Sequence, residues 1–141
     1  MNRKAGRYAL LCLVMVFPPL VLAAVIRQTS TGLLTWIGTG IFIPSYALWM
    51  VAYLQMGKPM NVLPQTDRFV TNGLYSRIRH PPYVFGQLAY LAVVLCTKSV
   101  SQCVVWLLIL LLQRGQARKE ERLLEEKFGT AYAEYKKRTW F

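Results

Sequence analysis

The side chains that could do chemistry gather in two stretches of the sequence, 57–82 and 114–141. All six carboxylates lie there: Asp67, Glu120, Glu121, Glu125, Glu126 and Glu134. A small proton-coupled transporter needs an intramembrane carboxylate to carry its coupling ion, so this distribution argues against one. The single histidine and most of the basic residues lie in the same two stretches. They predict a polar site outside the apolar part of the chain.

The first stretch places an arginine and a histidine immediately before two prolines. Prolines suit the first turn of a helix and hold the preceding residue extended, so Pro81-Pro82 predicts a helix start with Arg79 and His80 at its N-terminus. A helix N-terminus with adjacent basic side chains attracts a carboxylate or a phosphate. A simpler alternative is that Arg77 and Arg79 anchor the loop at a membrane surface, while His80 only caps the helix.

The second stretch has the pattern of an amphipathic helix. Four apolar or aromatic residues share one helical face with Glu121: Leu124, Phe128, Tyr132 and Tyr135. This placement assumes that the helix stays regular through Gly129. A carboxylate on an apolar face needs a partner or a ligand, and pairing with a loop arginine is the simpler alternative. Glu126 points nearly opposite, and Glu120 and Glu125 are expected with it and the basic residues on a solvated face.

The elements that must position these stretches are apolar. Of the 141 residues, 55% are hydrophobic and 16% are charged, whereas a typical soluble domain has about 25% charged residues. The mean hydropathy is +0.31. An ordinary soluble fold and a disordered basic tail are therefore both disfavoured.

About 20 apolar residues cross a bilayer as a helix. We therefore expect one all-α domain over residues 1–141, a polytopic membrane protein with about four transmembrane helices and an amphipathic cytoplasmic C-terminal helix. The expected spans are 8–26, 33–54, 83–97 and 100–113. The last two are short and should form a tight hairpin, and the final helix could continue into the charged tail. Gly38, Gly40 and Pro44 indicate kinks or close helix contacts in the second span.

The positive charges give an orientation. Of the 17 basic residues, 15 fall at the N-terminus, in the central loop or in the tail, and only Arg27 and Lys98 fall on the other side of the expected spans. By the positive-inside rule, both termini and the loop should face the cytoplasm. We expect an integral protein of a bacterial inner membrane or an equivalent membrane. The net charge of +11 then needs no nucleic acid to explain it.

Two further features leave the membrane interpretation in place. The basic start, the apolar run and Val21-Leu22-Ala23 resemble a signal peptide with a cleavage site, but the run is long for one and a retained span is favoured. Cys12, Cys96 and Cys103 all lie in apolar segments. Their spacing matches no metal motif and their odd number argues against a disulfide framework, so we expect packing residues and no metal site.

Together, the two polar stretches resemble the isoprenylcysteine carboxyl methyltransferase and phospholipid methyltransferase family of integral membrane methyltransferases. One family signature is similar to Val70-Thr71-Asn72-Gly73-Leu74-Tyr75 followed by Arg79-His80-Pro81-Pro82-Tyr83. The other is similar to Glu120-Glu121, then Phe128-Gly129-Thr130-Ala131-Tyr132-Ala133-Glu134-Tyr135 and the basic end Lys136-Lys137-Arg138. The resemblance covers about 57–138, and the first two spans match only in hydrophobicity.

The resemblance implies S-adenosylmethionine as cofactor, held between the cytoplasmic regions 57–82 and 114–141, and a lipophilic methyl acceptor from the bilayer. The residues that it implies for cofactor binding are Tyr75, Arg79, His80, Pro81, Tyr83, Glu120 and Glu121. Arg79 and His80 suit the cofactor's carboxylate and Glu121 suits its ammonium or hydroxyls, while Arg138 would hold an acceptor carboxylate. Glu121 and Arg138 are thus the implied catalytic residues. Membrane lipids are expected partners, and a homodimer could complete so short a chain.

Two other functions stay open. A non-catalytic membrane protein could bind anionic lipids through its basic cytoplasmic face. Such a protein would explain the charge excess but not a carboxylate on an apolar helix face. A membrane reductase is the third option, because sterol reductases carry a similar Arg-His-Pro-x-Tyr ending on a usually much longer chain.

Overall fold

The computed structural model describes residues 20, 22–27, 32–56 and 70–140, of which 86% are helical. Within those ranges the helices are α1, Leu33–Gln55; a 3₁₀ helix, Gly73–Ser76; α2, Pro81–Thr97; α3, Val100–Phe128; and α4, Thr130–Arg138. The same ranges contain no β-strand. Residues 20 and 22–27 are also helical. The expected all-α class therefore agrees with the structure.

Two helices in the described part of the chain are long and apolar enough to cross a membrane, α1 and α3, judged by length and composition alone. The third apolar helix, α2, has 17 residues. Most of the expected first span, 8–26, and the signal-peptide alternative lie outside the described residues. The number of four spans stays a prediction.

The hairpin predicted between the last two spans is confirmed. Its first helix begins at Pro81, as the paired prolines require, and ends at Thr97. Lys98 has a φ of 52°, and this left-handed residue reverses the chain before α3 begins at Val100. From there α3 continues for 29 residues, through the apolar part and into the charged tail.

The assumption that the tail helix stays regular through Gly129 does not hold. Gly129 has a φ of 53°, a left-handed conformation that ends α3 at Phe128 and separates it from α4. Glu121 still lies on the less exposed face of α3, because that face is fixed by residues before the break. Tyr132 belongs to α4, the helix after the break, and is fully buried there.

The closest helix packing joins α1 to α2. A β-carbon built on Gly38 would lie 2.6 Å from Cys96 Sγ and 2.7 Å from the Ala92 carbonyl oxygen, so only glycine lets the helices approach this closely. Cys96 is fully buried, and its thiol donates a 3.6 Å hydrogen bond to the Thr35 carbonyl. Gly38 is thus a close-contact residue, whereas Gly40 faces open space. The two described cysteines, Cys96 and Cys103, are free thiols.

Polar side chains join α2 to α3. Three side-chain hydrogen bonds of 2.7–2.8 Å bridge the two helices: Tyr83–Glu120, Gln87–Gln113 and Tyr90–Gln102. The indole Nε1 of Trp106 also donates to the Gln87 carbonyl at 3.1 Å. The apolar half of α3 is otherwise open, with Leu112 74% exposed. An apolar helix face this exposed is suited to a lipid environment.

The loop and the tail meet at the end of the bundle where α1 ends and α2 begins. The Leu74 amide donates to Gln55 Oε1 at 2.9 Å, and the Tyr135 hydroxyl donates to the Tyr75 carbonyl at 2.6 Å. Paired backbone hydrogen bonds hold Trp140 against the segment containing Arg79. The two polar stretches singled out in the sequence are therefore brought together, as far as they are described.

Candidate functional site

The site starts from the first turn of α2. His80 occupies the N-cap position and Pro81 behind it is fully buried, so the prolines fix the direction in which His80 leaves the loop. The His80 ring is stacked on the Tyr83 ring with centroids 5.5 Å apart. The histidine is 8% exposed. His80 therefore occupies the cap position, as the simpler alternative expected, but its buried side chain makes no capping hydrogen bond.

Glu121 of α3 lies at the centre of the charged groups. Its Oε1 is 3.0 Å from Arg79 Nε and 3.5 Å from His80 Nε2, and its Oε2 is 3.0 Å from Lys136 Nζ. Lys136 also contacts Glu125 at 2.8 Å. One carboxylate thus links the loop, α3 and α4. Pairing with a loop arginine, the simpler alternative for Glu121, is confirmed.

Glu120 does not lie on the solvated face where periodicity placed it. Its Oε1 accepts the Tyr83 hydroxyl at 2.8 Å, and its Oε2 is 3.7 Å from His80 Nδ1. Gln116, one turn earlier, donates to the same carboxylate at 3.4 Å. The prediction of a solvated Glu120 is wrong because α2 packs along the side of α3 that carries this residue. Both glutamates of the pair therefore face the start of α2.

A pocket with a volume of about 300 Å³ opens beside this cluster. It is lined by six residues: Arg79, His80, Arg114, Ala117, Arg118 and Glu121. Small-molecule sites have volumes of roughly 300–1,000 Å³, so the pocket is at the lower end of that range. The lining holds three guanidinium groups and an imidazole but only one carboxylate, which makes it cationic.

Of the residues that the resemblance implied, Arg79, His80 and Glu121 line the pocket. Tyr83 and Glu120 support them from the side, and Pro81 is buried behind them. The other two lie elsewhere. The Tyr75 hydroxyl donates to the Ala52 carbonyl at 3.3 Å and so faces α1. The Arg138 side chain is 76% exposed, with its charge 3.6 Å from Glu134, and it does not line the pocket.

Sequence reasoning missed Arg114, Ala117, Arg118 and Lys136. The first three precede Glu121 by seven, four and three residues, which is the spacing of one helical face. Applying the periodicity backwards from Glu121 would have found them. Lys136 reaches the cluster only because the chain turns at Gly129, and no sequence pattern gave that geometry.

Burial and charge act in opposite directions on the central carboxylate. Burial alone would raise the pKa of Glu121. The hydrogen bond from Lys136 and the charges of Arg79 and Lys136 outweigh burial and hold this pKa below its ordinary value of 4.5. Burial lowers the pKa of His80 below 6.5, although both glutamates favour its charged form. At neutral pH the cluster therefore holds an ionised Glu121 beside a neutral imidazole.

Acidification is expected to destabilise the folded chain. Both groups have a lower pKa folded than unfolded, so the unfolded state binds more protons as the pH falls, from about 6.5 for His80 and from about 4.5 for Glu121. Thermal denaturation in detergent should give a Tm that falls between pH 7.5 and pH 5. A His80→Asn variant should lose that dependence, and an unchanged slope in the variant would contradict the assignment.

The fold and the cluster define a small helical protein with two helices suited to a membrane and a cationic pocket at one end. Within that class the chain belongs to the family described as "Protein of unknown function (DUF1295)", whose sequence profile matches residues 7–139. This family is grouped in one clan with steroid reductases and isoprenylcysteine methyltransferases. No curated protein and no solved structure matches the chain.

Proposed function

We propose that the chain is an S-adenosylmethionine-dependent methyltransferase that acts on a lipophilic acceptor at a membrane surface. One observation carries the proposal. Glu121 of the second motif lies 3.0 Å from Arg79 and 3.5 Å from His80 of the first motif, about 40 residues earlier in the sequence, and all three line one pocket. Membership of a clan that includes isoprenylcysteine methyltransferases supports the same assignment.

The lining has the donor set that this cofactor requires. S-adenosylmethionine carries a carboxylate, an ammonium and hydroxyls, and when bound it would supply an electrophilic methyl group. Arg79 Nε is buried and makes no well-aligned hydrogen bond within the described residues, although Glu121 lies 3.0 Å away, so it can still donate to a carboxylate. The ionised Glu121 suits the ammonium or a hydroxyl.

The chain's own residues would act mainly by holding and orienting. Lys136 and Arg79 keep Glu121 ionised, while Glu120 and the Tyr83 ring fix the His80 imidazole. Charged groups held in a half-buried pocket lower the barrier by positioning and by excluding water. An acceptor from the bilayer would reach the pocket beside the exposed apolar half of α3. In the proposed topology the four spans place both termini and the pocket at the cytoplasmic face.

A membrane reductase is the second candidate. Steroid reductases belong to the same clan, and the three arginines of the lining suit the phosphates of a nicotinamide dinucleotide. The pocket volume of about 300 Å³ favours the smaller cofactor. We therefore rank the methyltransferase first.

Equilibrium binding separates these functions. We expect detergent-purified chain to bind S-adenosylhomocysteine with a Kd below the millimolar range, and not to bind NADPH. No binding of S-adenosylhomocysteine at millimolar concentration would exclude the methyltransferase, and tight NADPH binding would favour the reductase. A protein that only binds anionic lipids should bind neither cofactor, and its affinity for lipid should fall as the salt concentration is raised.

A further inference from the structure

Two arginines of the pocket lining have no role in the cluster around Glu121. Arg114 and Arg118 are exposed residues one helical turn apart on α3, on the same face as Glu121. Within the described ranges neither forms an ion pair. Like charges at this spacing repel each other in an isolated helix and slightly destabilise it. An anionic ligand bound between the two arginines would remove this repulsion.

Glu121, the one carboxylate in the pocket lining, does not neutralise Arg114 and Arg118. Glu121 already faces Arg79 on one oxygen and Lys136 on the other, at 3.0 Å in each case. The carboxylate of Glu120 is turned towards Tyr83 and His80. The side of the pocket next to Arg114 and Arg118 therefore keeps uncompensated positive charge. An anion is the ligand that such a surface binds.

The apolar residues on the same face of α3 indicate that the ligand also has an apolar part. Leu107 and Leu111 precede Arg114 and Arg118 by seven residues each, so they lie on the same side of α3, and they are 46% and 66% exposed. Gln113 ends the uncharged stretch 99–113 immediately before Arg114. This face of α3 thus changes from apolar to cationic at the entrance to the pocket.

We propose that Arg114 and Arg118 bind the phosphate or carboxylate head of an amphiphile whose apolar part lies along Leu107 and Leu111. On the proposed function, on which this inference rests, that amphiphile is the methyl acceptor. The head would then lie next to Glu121 and His80. Arg138, which the resemblance implied for this task, is exposed and paired with Glu134 instead.

Calorimetric titration of the full chain in a nonionic detergent tests the subsite with three probes: dihexanoyl phosphatidic acid, dihexanoyl phosphatidylcholine and inorganic phosphate. We expect the phosphatidic acid to bind at least about tenfold more tightly than the other two, because only it combines a head of net negative charge with acyl chains. A double variant, Arg114→Gln with Arg118→Gln, should lose about tenfold or more of this affinity. Its Tm should stay near that of the wild type, because both side chains are exposed.

A second double variant, Lys127→Gln with Lys137→Gln, is the matched control. It also removes two positive charges from exposed positions, but neither residue lines this pocket or the neighbouring surface that includes Leu111. An equal loss of affinity in this variant would show attraction to overall charge and would overturn the proposal. Equal binding of phosphatidylcholine or of inorganic phosphate would also overturn it. A wild type that binds phosphatidic acid but not S-adenosylhomocysteine would reject the methyltransferase and, with it, the acceptor role.

Discussion

Replacing Glu121 with glutamine is expected to weaken S-adenosylhomocysteine binding by about 10- to 100-fold, since a hydrogen bond to a charged group contributes roughly 1.5–3 kcal/mol and tenfold corresponds to about 1.4 kcal/mol. Glutamine keeps the size of the side chain and removes only the charge. The ammonium of the ligand would lose its partner, and Arg79 and Lys136 would face a neutral amide. Isothermal titration calorimetry measures the affinity directly.

Glu126→Gln is the control for this variant, because it removes a carboxylate from an exposed position of the same helix. Its affinity for the ligand should match the wild type. The Tm of each variant, measured alongside, separates a loss of ligand contact from a loss of fold. Wild-type affinity in a folded Glu121→Gln variant would mean that Glu121 serves only as the structural partner of Arg79, and the site assignment would be wrong.

The second large effect is expected far from the pocket, at Gly38. A leucine there would place its β-carbon 2.6 Å from Cys96 Sγ and 2.7 Å from a backbone oxygen that cannot rotate away. The helices α1 and α2 would have to separate, at a cost of about 3 kcal/mol or more. Thermal denaturation followed by circular dichroism should show a strongly lowered Tm, with loss of the monodisperse species on gel filtration.

Gly40→Leu supplies the comparison, since a β-carbon at Gly40 meets no atom within 4 Å. Both variants add the same side chain to the same helix, two residues apart. The Tm of Gly40→Leu should therefore stay near that of the wild type. If the two variants were equally stable, the close approach of α1 and α2 would be contradicted.

Local rules predicted the elements that carry the site. Pro81-Pro82 gave the start of α2, the short segment around Lys98 gave the hairpin, and helical periodicity put Glu121 on the inward face of α3. Each of these depends on a few neighbouring residues and on the geometry of one helix. The sequence could therefore identify Arg79, His80 and Glu121 as candidates before their contacts were known.

Tertiary contacts decided what local rules could not. Glu120 faces inward because of the side of α3 on which α2 packs, and periodicity within α3 does not contain that information. Tyr75 belongs to the same motif as His80, yet its hydroxyl reaches the Ala52 carbonyl because the 3₁₀ helix lies against α1. The turn at Gly129 brings Lys136 to Glu121 and leaves Arg138 exposed. Which motif residues line the pocket and which only support it is therefore decided by tertiary packing, and the sequence pattern alone does not show it.

The helix α3 runs without a break from the apolar part of the chain to the pocket. With 29 residues, it is about 43 Å long, and its apolar and pocket-lining halves are one rod. Arg79 and His80 belong to a different element, at the start of α2. Glu121, Arg114 and Arg118 therefore form one wall of the pocket on α3, and the opposite wall belongs to the start of α2. The side-chain hydrogen bonds that join these two helices thus fix the width of the pocket as well as the packing of the hairpin.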